Sequence, residues 1–363
     1  MKHNSNASGK VPSTEHAHRI STDVWPNETP LLSVKNLCVD YRTPSGLVHA
    51  VQRVSLSCFK GESLGLVGES GSGKSTLVLS VLRLLPRTKV IESGQAFFKG
   101  IDLMKSSQEE MSRIRWTALS IVFQQSMNSL SPVHKISEQI EDVYRVHQPE
   151  ATKAEIRAKI YPLLEMVNLS PRILDLYPHE LSGGMFQRIN ILLSLVHNPD
   201  LVVLDEATTA LDVITQGQIL DELNRLQEEL GQTFIIVTHD ISVIADLCKR
   251  IAVMYAGHIV EIGNVESVLV KPLHPYTCGL INSIPPLTKG RKKIVGIQGE
   301  LPDLRQTFAG CPFEPRCTEA MEECKWKLPE LKLVNVSDGE LKTEDELRQG
   351  HFVACHKYLG EGL

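Results

Sequence analysis

The chain is short of everything that would carry it through a membrane unaided. No apolar run approaches the roughly 18 residues that cross a bilayer, and the longest candidates, such as 234–237, are strand-length. The first residues lack the apolar core of a signal peptide, so a cytoplasmic location is expected. A basic surplus is also missing. The 38 Lys and Arg are outnumbered by 43 Asp and Glu, and a net charge of -5 argues against nucleic-acid binding through a basic surface. No internal repeat is present. Cysteine is not scarce, with eight residues, but disulfides are not expected in a cytosolic protein. What remains is 363 residues, 42% hydrophobic and 22% charged, enough for one large domain with an appendage or for two domains.

Residues 1–30 are rich in Ser, Asn, His, Thr and Pro without apolar periodicity and read as a disordered leader. Short strands follow at 32–41, 48–59 and 63–67, then a glycine-rich turn and a helix from 74 to 85 stopped by Pro86. Residues 136–147 and 152–167 read as helices with polar faces. After them the apolar runs 201–204, 234–237 and 251–254 suit a buried parallel sheet. A helical block is thus inserted into an α/β core. From about residue 266 prolines interrupt every long element, and the segment reads as a small loop-rich module.

Two stretches carry the chemistry. In Gly68-Glu-Ser-Gly-Ser-Gly-Lys-Ser75, glycines let successive backbone N–H groups face phosphate oxygens, and the following helix adds its positive end. Gly68, Ser70, Gly71 and Gly73 form the cradle and Thr76 continues it. Lys74 is placed to reach the β and γ phosphates, and Ser75 to ligate magnesium. Far downstream, an apolar strand ends in Asp205-Glu206, which puts one carboxylate near the magnesium ion and the other where it polarises an attacking water. A second small-residue stretch, Leu181-Ser-Gly-Gly-Met-Phe-Gln-Arg188, lies between them and opens a helix.

These motifs, in this order over residues 31–265, closely resemble the ATP-binding-cassette ATPases. The resemblance implies a P-loop NTPase (RecA-like) α/β core with an antiparallel β subdomain and an inserted helical subdomain at about 125–189. It implies that Ser182, Gly183 and Gly184 contact the γ-phosphate of ATP bound to an opposite subunit. Tyr41 matches the aromatic that stacks on adenine, and Gln124 the glutamine that touches magnesium and water and senses the membrane partner. Thr209-Ala-Leu-Asp212 matches the loop that links two sites across a dimer, and His239 the switch histidine at the γ-phosphate. Ala207, Phe186 and Gln125-Ser126 depart from the usual pattern.

The tail narrows the branch. His274-Pro-Tyr-Thr277 and Gly310-Cys-Pro-Phe-Glu-Pro-Arg-Cys317 resemble the C-terminal extension, here 266–363, of the oligopeptide/dipeptide/nickel importer ATPases. That resemblance implies a motor on the cytoplasmic face of the membrane, peripheral to two permease subunits. A solute-binding protein supplies these from outside, and a second, related cassette completes the pair. Cys311, Cys317, Cys324 and Cys355 do not have ordinary zinc spacings. Four thiols suit a 4Fe–4S cluster, which some members of this branch carry here. Zinc, with His351 or His356 as substitute ligands, and plain burial are the alternatives. The four lie in one segment away from the nucleotide motifs. The competing function classes are a soluble cassette acting on DNA or ribosomes, and a redox sensor that hydrolyses ATP. Nickel or oligosaccharide remains a possible cargo besides peptide.

Overall fold

A computed structural model describes residues 30–123, 129–209, 211–283, 296–334 and 350–358. The first two strands, β1 (Leu32–Thr43) and β2 (Gly46–Cys58), form a hairpin. β3 (Ser63–Val67) leads through the glycine loop into α1 (Lys74–Val81). Then come β4 (Val90–Phe98), β5 (Ile101–Asp102), α2 (Gln108–Ile114) and β6 (Leu119–Val122). The helices α3 (Ile136–His147), α4 (Lys153–Met166) and α5 (Gly183–Leu195) follow. Alternation resumes with β7 (Leu201–Asp205), α6 (Val213–Leu230), β8 (Thr233–Thr238), α7 (Ile241–Leu247), β9 (Arg250–Tyr255) and β10 (His258–Asn264). The last elements are α8 (Val265–Val270), α9 (Pro275–Asn282), β11 (Lys332–Val334) and β12 (His351–Val353).

Two sheets result. One has the antiparallel order β2-β1-β4-β5, and the other the order β11-β12-β10-β9-β3-β8-β7-β6. From β6 to β9 the second sheet is parallel. Every residue of β3, β7, β8 and β9 is buried, as expected of strands covered on both faces. The period of two decides which face each side chain joins. Leu201, Val203, Ile235 and Val237 pack with α1 and the antiparallel sheet, while Val202, Leu204, Phe234 and Ile236 pack with α5 to α7. Each such fully buried aliphatic is worth about 1.5–3 kcal/mol of burial. The fold is the α/β cassette architecture expected from the motifs.

Helix α1 ends earlier than the stop at Pro86 suggested. Arg83 takes a left-handed conformation (φ 55°). Its N–H then bonds to the Ser80 carbonyl at 2.9 Å, and the Leu84 N–H to the Leu79 carbonyl at 2.9 Å. This is a Schellman closure with arginine where glycine is usual, so no residue type marks the end of the helix. Arg83 is held there by Glu92 at 2.5 Å. Helix α4 starts on a capping box, Thr152 with Glu155, and turns Ile156, Ile160 and Leu164 into the lobe's core.

Among the described residues the tail packs onto the main core instead of building a separate one. Tyr276 and Phe313 belong to the same apolar cluster as the helical lobe and the parallel sheet. Strand β12 pairs antiparallel with β10, so the tail extends the main sheet. Among the described residues no helix is long and apolar enough to cross a membrane.

Candidate active site

Strands β3, β8 and β7 are neighbours, and their carboxyl ends release the three loops that carry the candidate residues. After β3, Gly68 has φ 153° and a Cβ there would sit 2.1 Å from the Met254 carbonyl oxygen. At Gly73, φ is 103° and a Cβ would meet the Ala50 carbonyl oxygen at 2.1 Å. Backbone on both sides makes these two positions glycine-only. Lys74 is buried, and its Nζ donates to the Gly68 carbonyl at 2.8 Å, the Glu69 carbonyl at 2.9 Å and Ser72 Oγ at 3.3 Å. Burial pushes its pKa down, while Glu206, Asp205 and Glu69 pull it back.

Ser75 Oγ, in the first turn of α1, donates to Asp205 Oδ1 at 3.0 Å across from β7. Asp205 is buried, and that burial raises its pKa; the Ser75 bond opposes the rise and the Glu206 charge adds to it. Glu206 takes φ 49° and its N–H donates to the Val237 carbonyl at 2.8 Å. A left-handed glutamate is uncommon, and this one is anchored to β8 just before the loop that carries His239. His239 Nδ1 lies 3.3 Å from Glu206 Oε1, and Thr209 Oγ1 lies 3.5 Å from Glu206 Oε2. Lys74, Ser75, Asp205, Glu206 and His239 are therefore brought to one place. Tyr41 joins them from β1, with its hydroxyl 3.2 Å from Thr76 Oγ1 beside the start of α1.

The second glycine stretch lies elsewhere. Ser182 caps α5, accepting from the Met185 N–H at 3.3 Å, and Gly183 and Gly184 form the first turn. A Cβ at Gly184 would stand 2.5 Å from Thr215 Cγ2, so small size is required against α6. Arg188 ties α5 to α6 through Glu222. Among the described residues, no hydrogen bond joins this stretch to the phosphate loop. Gln124 lies outside the described residues, as does Ala210 of the 209–212 loop.

Cys311, Cys317, Cys324 and Cys355 line one small cavity together with His274 and His356. Burial pushes Cys311 up to about 12, Cys355 up to about 11, and Cys317 upward; backbone N–H groups of Phe313, Lys357 and Glu319 oppose this in turn. The Met321 N–H donates to Cys324 Sγ at 3.5 Å. Among the described residues, no three His, Cys, Asp or Glu side chains form a ready-made metal site. His351 does not line the cavity; it pairs with buried Glu261 at 2.5 Å. His356 does line it, and its Nε2 lies 2.7 Å from the Lys327 carbonyl.

The cysteine segment is not remote from the nucleotide motifs, contrary to its place in the sequence. Arg316, between Cys311 and Cys317, forms two bonds to the Glu69 carboxylate at 2.8 and 2.9 Å, inside the phosphate loop. Glu69, Arg316 and Tyr276 were not among the residues singled out from sequence. Nothing in the sequence around Glu69 points to a partner in the tail.

Comparison with known proteins agrees with this geometry. Residues 51–209 match the family model described as ABC transporter, and residues 260–324 match the oligopeptide/dipeptide transporter C-terminal region. The chain is 40% identical over 335 residues to the oligopeptide transport ATP-binding protein OppD of Escherichia coli K12, covering 92% of this chain and 95% of that protein. It is 39% identical over 329 residues to the dipeptide transport ATP-binding protein DppD of Caldanaerobacter subterraneus, covering 90% and 97%. Among solved structures, the dimeric post-hydrolysis state of the cassette MJ0796, bound to ADP and Pi, superposes with a TM-score of 0.58. That match has 29% identity and covers 64% of this chain and 98% of that one.

Proposed function

The chain belongs to the ATP-binding-cassette transporter family, and on that premise we propose that it is the motor of a di- or oligopeptide importer, with the site residues acting as follows. It is an ATPase cassette, and the phosphate loop binds the triphosphate. Lys74 already points its ammonium at carbonyl oxygens of that loop, contacts that β and γ phosphate oxygens would take over. Ser75 and Asp205, a hydroxyl and a carboxylate within hydrogen-bond reach, fit magnesium, with Gln124 as a further ligand by resemblance. The ion would neutralise charge on the transferring phosphoryl group.

Glu206 accepts a proton from the attacking water as the terminal phosphoryl group leaves ADP. His239 holds that carboxylate from one side and Thr209 from the other, which fixes its direction. Tyr41, beside Thr76, stands where adenine would stack. Ser182, Gly183 and Gly184 make no hydrogen bond to this chain's own phosphate loop. That suits a role at the γ-phosphate of a partner cassette, with this chain's site closed in return by the partner's loop. The observation that carries the reading is the meeting of Lys74, Ser75, Asp205 and Glu206 at the carboxyl ends of β3 and β7, the two strands that flank β8, in a chain whose tail matches the peptide-transporter extension.

The partners proposed are a related cassette, two permeases and, through them, a solute-binding protein, with this chain peripheral on the cytoplasmic face. The leader (1–30), cassette (31–265) and extension (266–363) are the proposed divisions. For the tail, the donor chemistry fits a 4Fe–4S cluster: four thiols line one cavity, each with a backbone N–H directed at it. Cys311, Cys317, Cys324 and Cys355 would hold it, and it would cross-link the segments that carry them. Zinc is the alternative occupant; of His351 and His356, only His356 lines the cavity and is placed to substitute.

Turnover by the isolated chain and by the assembled complex tests the motor reading. Slow hydrolysis alone, rising at least tenfold on addition of a related cassette and permeases, is the expected result. Vigorous cooperative hydrolysis by a stable homodimer of this chain would refute the heterodimer.

A further inference from the structure

Glu69 has all its polar groups engaged. Its carbonyl accepts from Lys74 Nζ at 2.9 Å, its N–H donates to Tyr276 Oη at 2.8 Å, and its carboxylate takes both arms of Arg316. Two of these three connections come from the tail. Lys74 and Arg316 thus grip the same residue from opposite sides.

Arg316 is itself fixed. Its side chain is 7% exposed, and Nε donates to the Gln298 carbonyl at 2.9 Å. The guanidinium lies over the rings of Tyr255 and Phe313, at 5.7 and 6.0 Å from their centroids. Tyr255, Tyr276 and Phe313 pack together with centroid separations of 4.6 to 5.4 Å, so the arginine and the tyrosine that hold Glu69 share one aromatic platform. The turn Glu314–Arg316 that presents the guanidinium is bounded by Cys311 and Cys317.

We propose that Arg316 is a positioning residue of the nucleotide site, which shapes the phosphate loop through Glu69 and so makes ATP affinity depend on the cysteine-bearing tail. The effect of Arg316 is electrostatic as well as steric. A carboxylate in a phosphate loop repels the triphosphate that the loop must bind. A bidentate guanidinium cancels that charge and fixes the side chain away from the anion. Without it, Glu69 presents an uncompensated negative charge beside the ligand, and the loop loses its second anchor. Lysine cannot reproduce the fork.

This inference rests on the nucleotide-site reading above, and the test separates the two. MgATP affinity is measured calorimetrically on the full chain for wild type, Arg316→Ala, Arg316→Lys, Glu69→Gln, the double variant Arg316→Ala/Glu69→Gln, and Lys74→Ala. Arg316→Ala is expected to weaken binding about tenfold and Arg316→Lys by an intermediate amount. Glu69→Gln should lose less, and the double variant should recover to within about threefold of wild type, because no uncompensated charge is left. A merely structural arginine would leave the double variant at least as weak as Arg316→Ala. That result, or an Arg316→Ala affinity within twofold of wild type, would overturn the proposal. Unchanged binding by Lys74→Ala would instead sink the nucleotide-site reading.

Discussion

Replacing Glu206 by glutamine removes one charge and one proton acceptor while keeping the side chain's shape. The fold should not notice. His239 is 53% exposed and its contact with Glu206 is a partly solvated pair at 3.3 Å, worth at most about 1 kcal/mol. The amide oxygen of glutamine can still accept from Thr209 or His239, and the backbone bond to Val237 is untouched. Binding should change little. Glu206 is the carboxylate that does most to hold Lys74 protonated, so its loss weakens the ammonium slightly. The same loss removes a negative charge from beside the γ-phosphate, and the two effects oppose each other. MgATP affinity should stay within about threefold of wild type. Chemistry should suffer fully, because a positioned general base contributes about 10²–10⁴ in rate, or roughly 2.7–5.5 kcal/mol of barrier. Phosphate release by the assembled complex at saturating MgATP, together with a binding isotherm, measures both quantities. Turnover within tenfold of wild type would refute the assignment of Glu206 as the base.

Asp205→Asn probes the metal side of the site. Burial raises the Asp205 pKa above its unfolded value, so over that window the folded state keeps a proton that the unfolded chain has released, and stability falls as pH rises through it. Above the window the folded protein carries a buried charge, and the substitution should raise the melting temperature of metal-free protein by about 1–2 °C at pH 7.5 with no gain below pH 4. MgATP should no longer stabilise the variant; equal stabilisation by MgATP would count against Asp205 as a magnesium ligand. For the tail, wild-type protein prepared without oxygen should be brown and contain iron and acid-labile sulfide, and Cys317→Ser should bleach it. Colourless protein with one zinc per chain would replace the cluster with a zinc site. Metal-free protein with a folded tail would leave four ordinary buried cysteines.

Much of the fold and the site is legible in the sequence. The strand, glycine loop and helix follow from the spacing of Gly68, Gly73 and Lys74, and α3 from the period of Ile136, Ile140 and Tyr144. Local patterns of that kind need only neighbours in sequence. Helix α2 was passed over although Ser107 and Glu110 form a readable capping box. The end of α1 was misplaced because Arg83 occupies a position that glycine usually marks. The way the tail packs is illegible in the sequence for a different reason. Its prolines do break regular structure, but Tyr276 and Phe313 insert into the main core and β12 pairs with β10, contacts that exist only after the chain has folded back on itself. The Glu69–Arg316 pair is of the same non-local kind, and no window of sequence contains both.

Coupled transport is the most direct test. Proteoliposomes containing this chain, a related cassette, two permeases and the solute-binding protein should take up a labelled oligopeptide only when ATP and magnesium are supplied on the side that carries the cassettes. Glu206→Gln should abolish that uptake while leaving assembly intact. Peptide uptake that continues at the wild-type rate with Glu206→Gln, or that needs no ATP, would contradict the assignment of this chain as the motor.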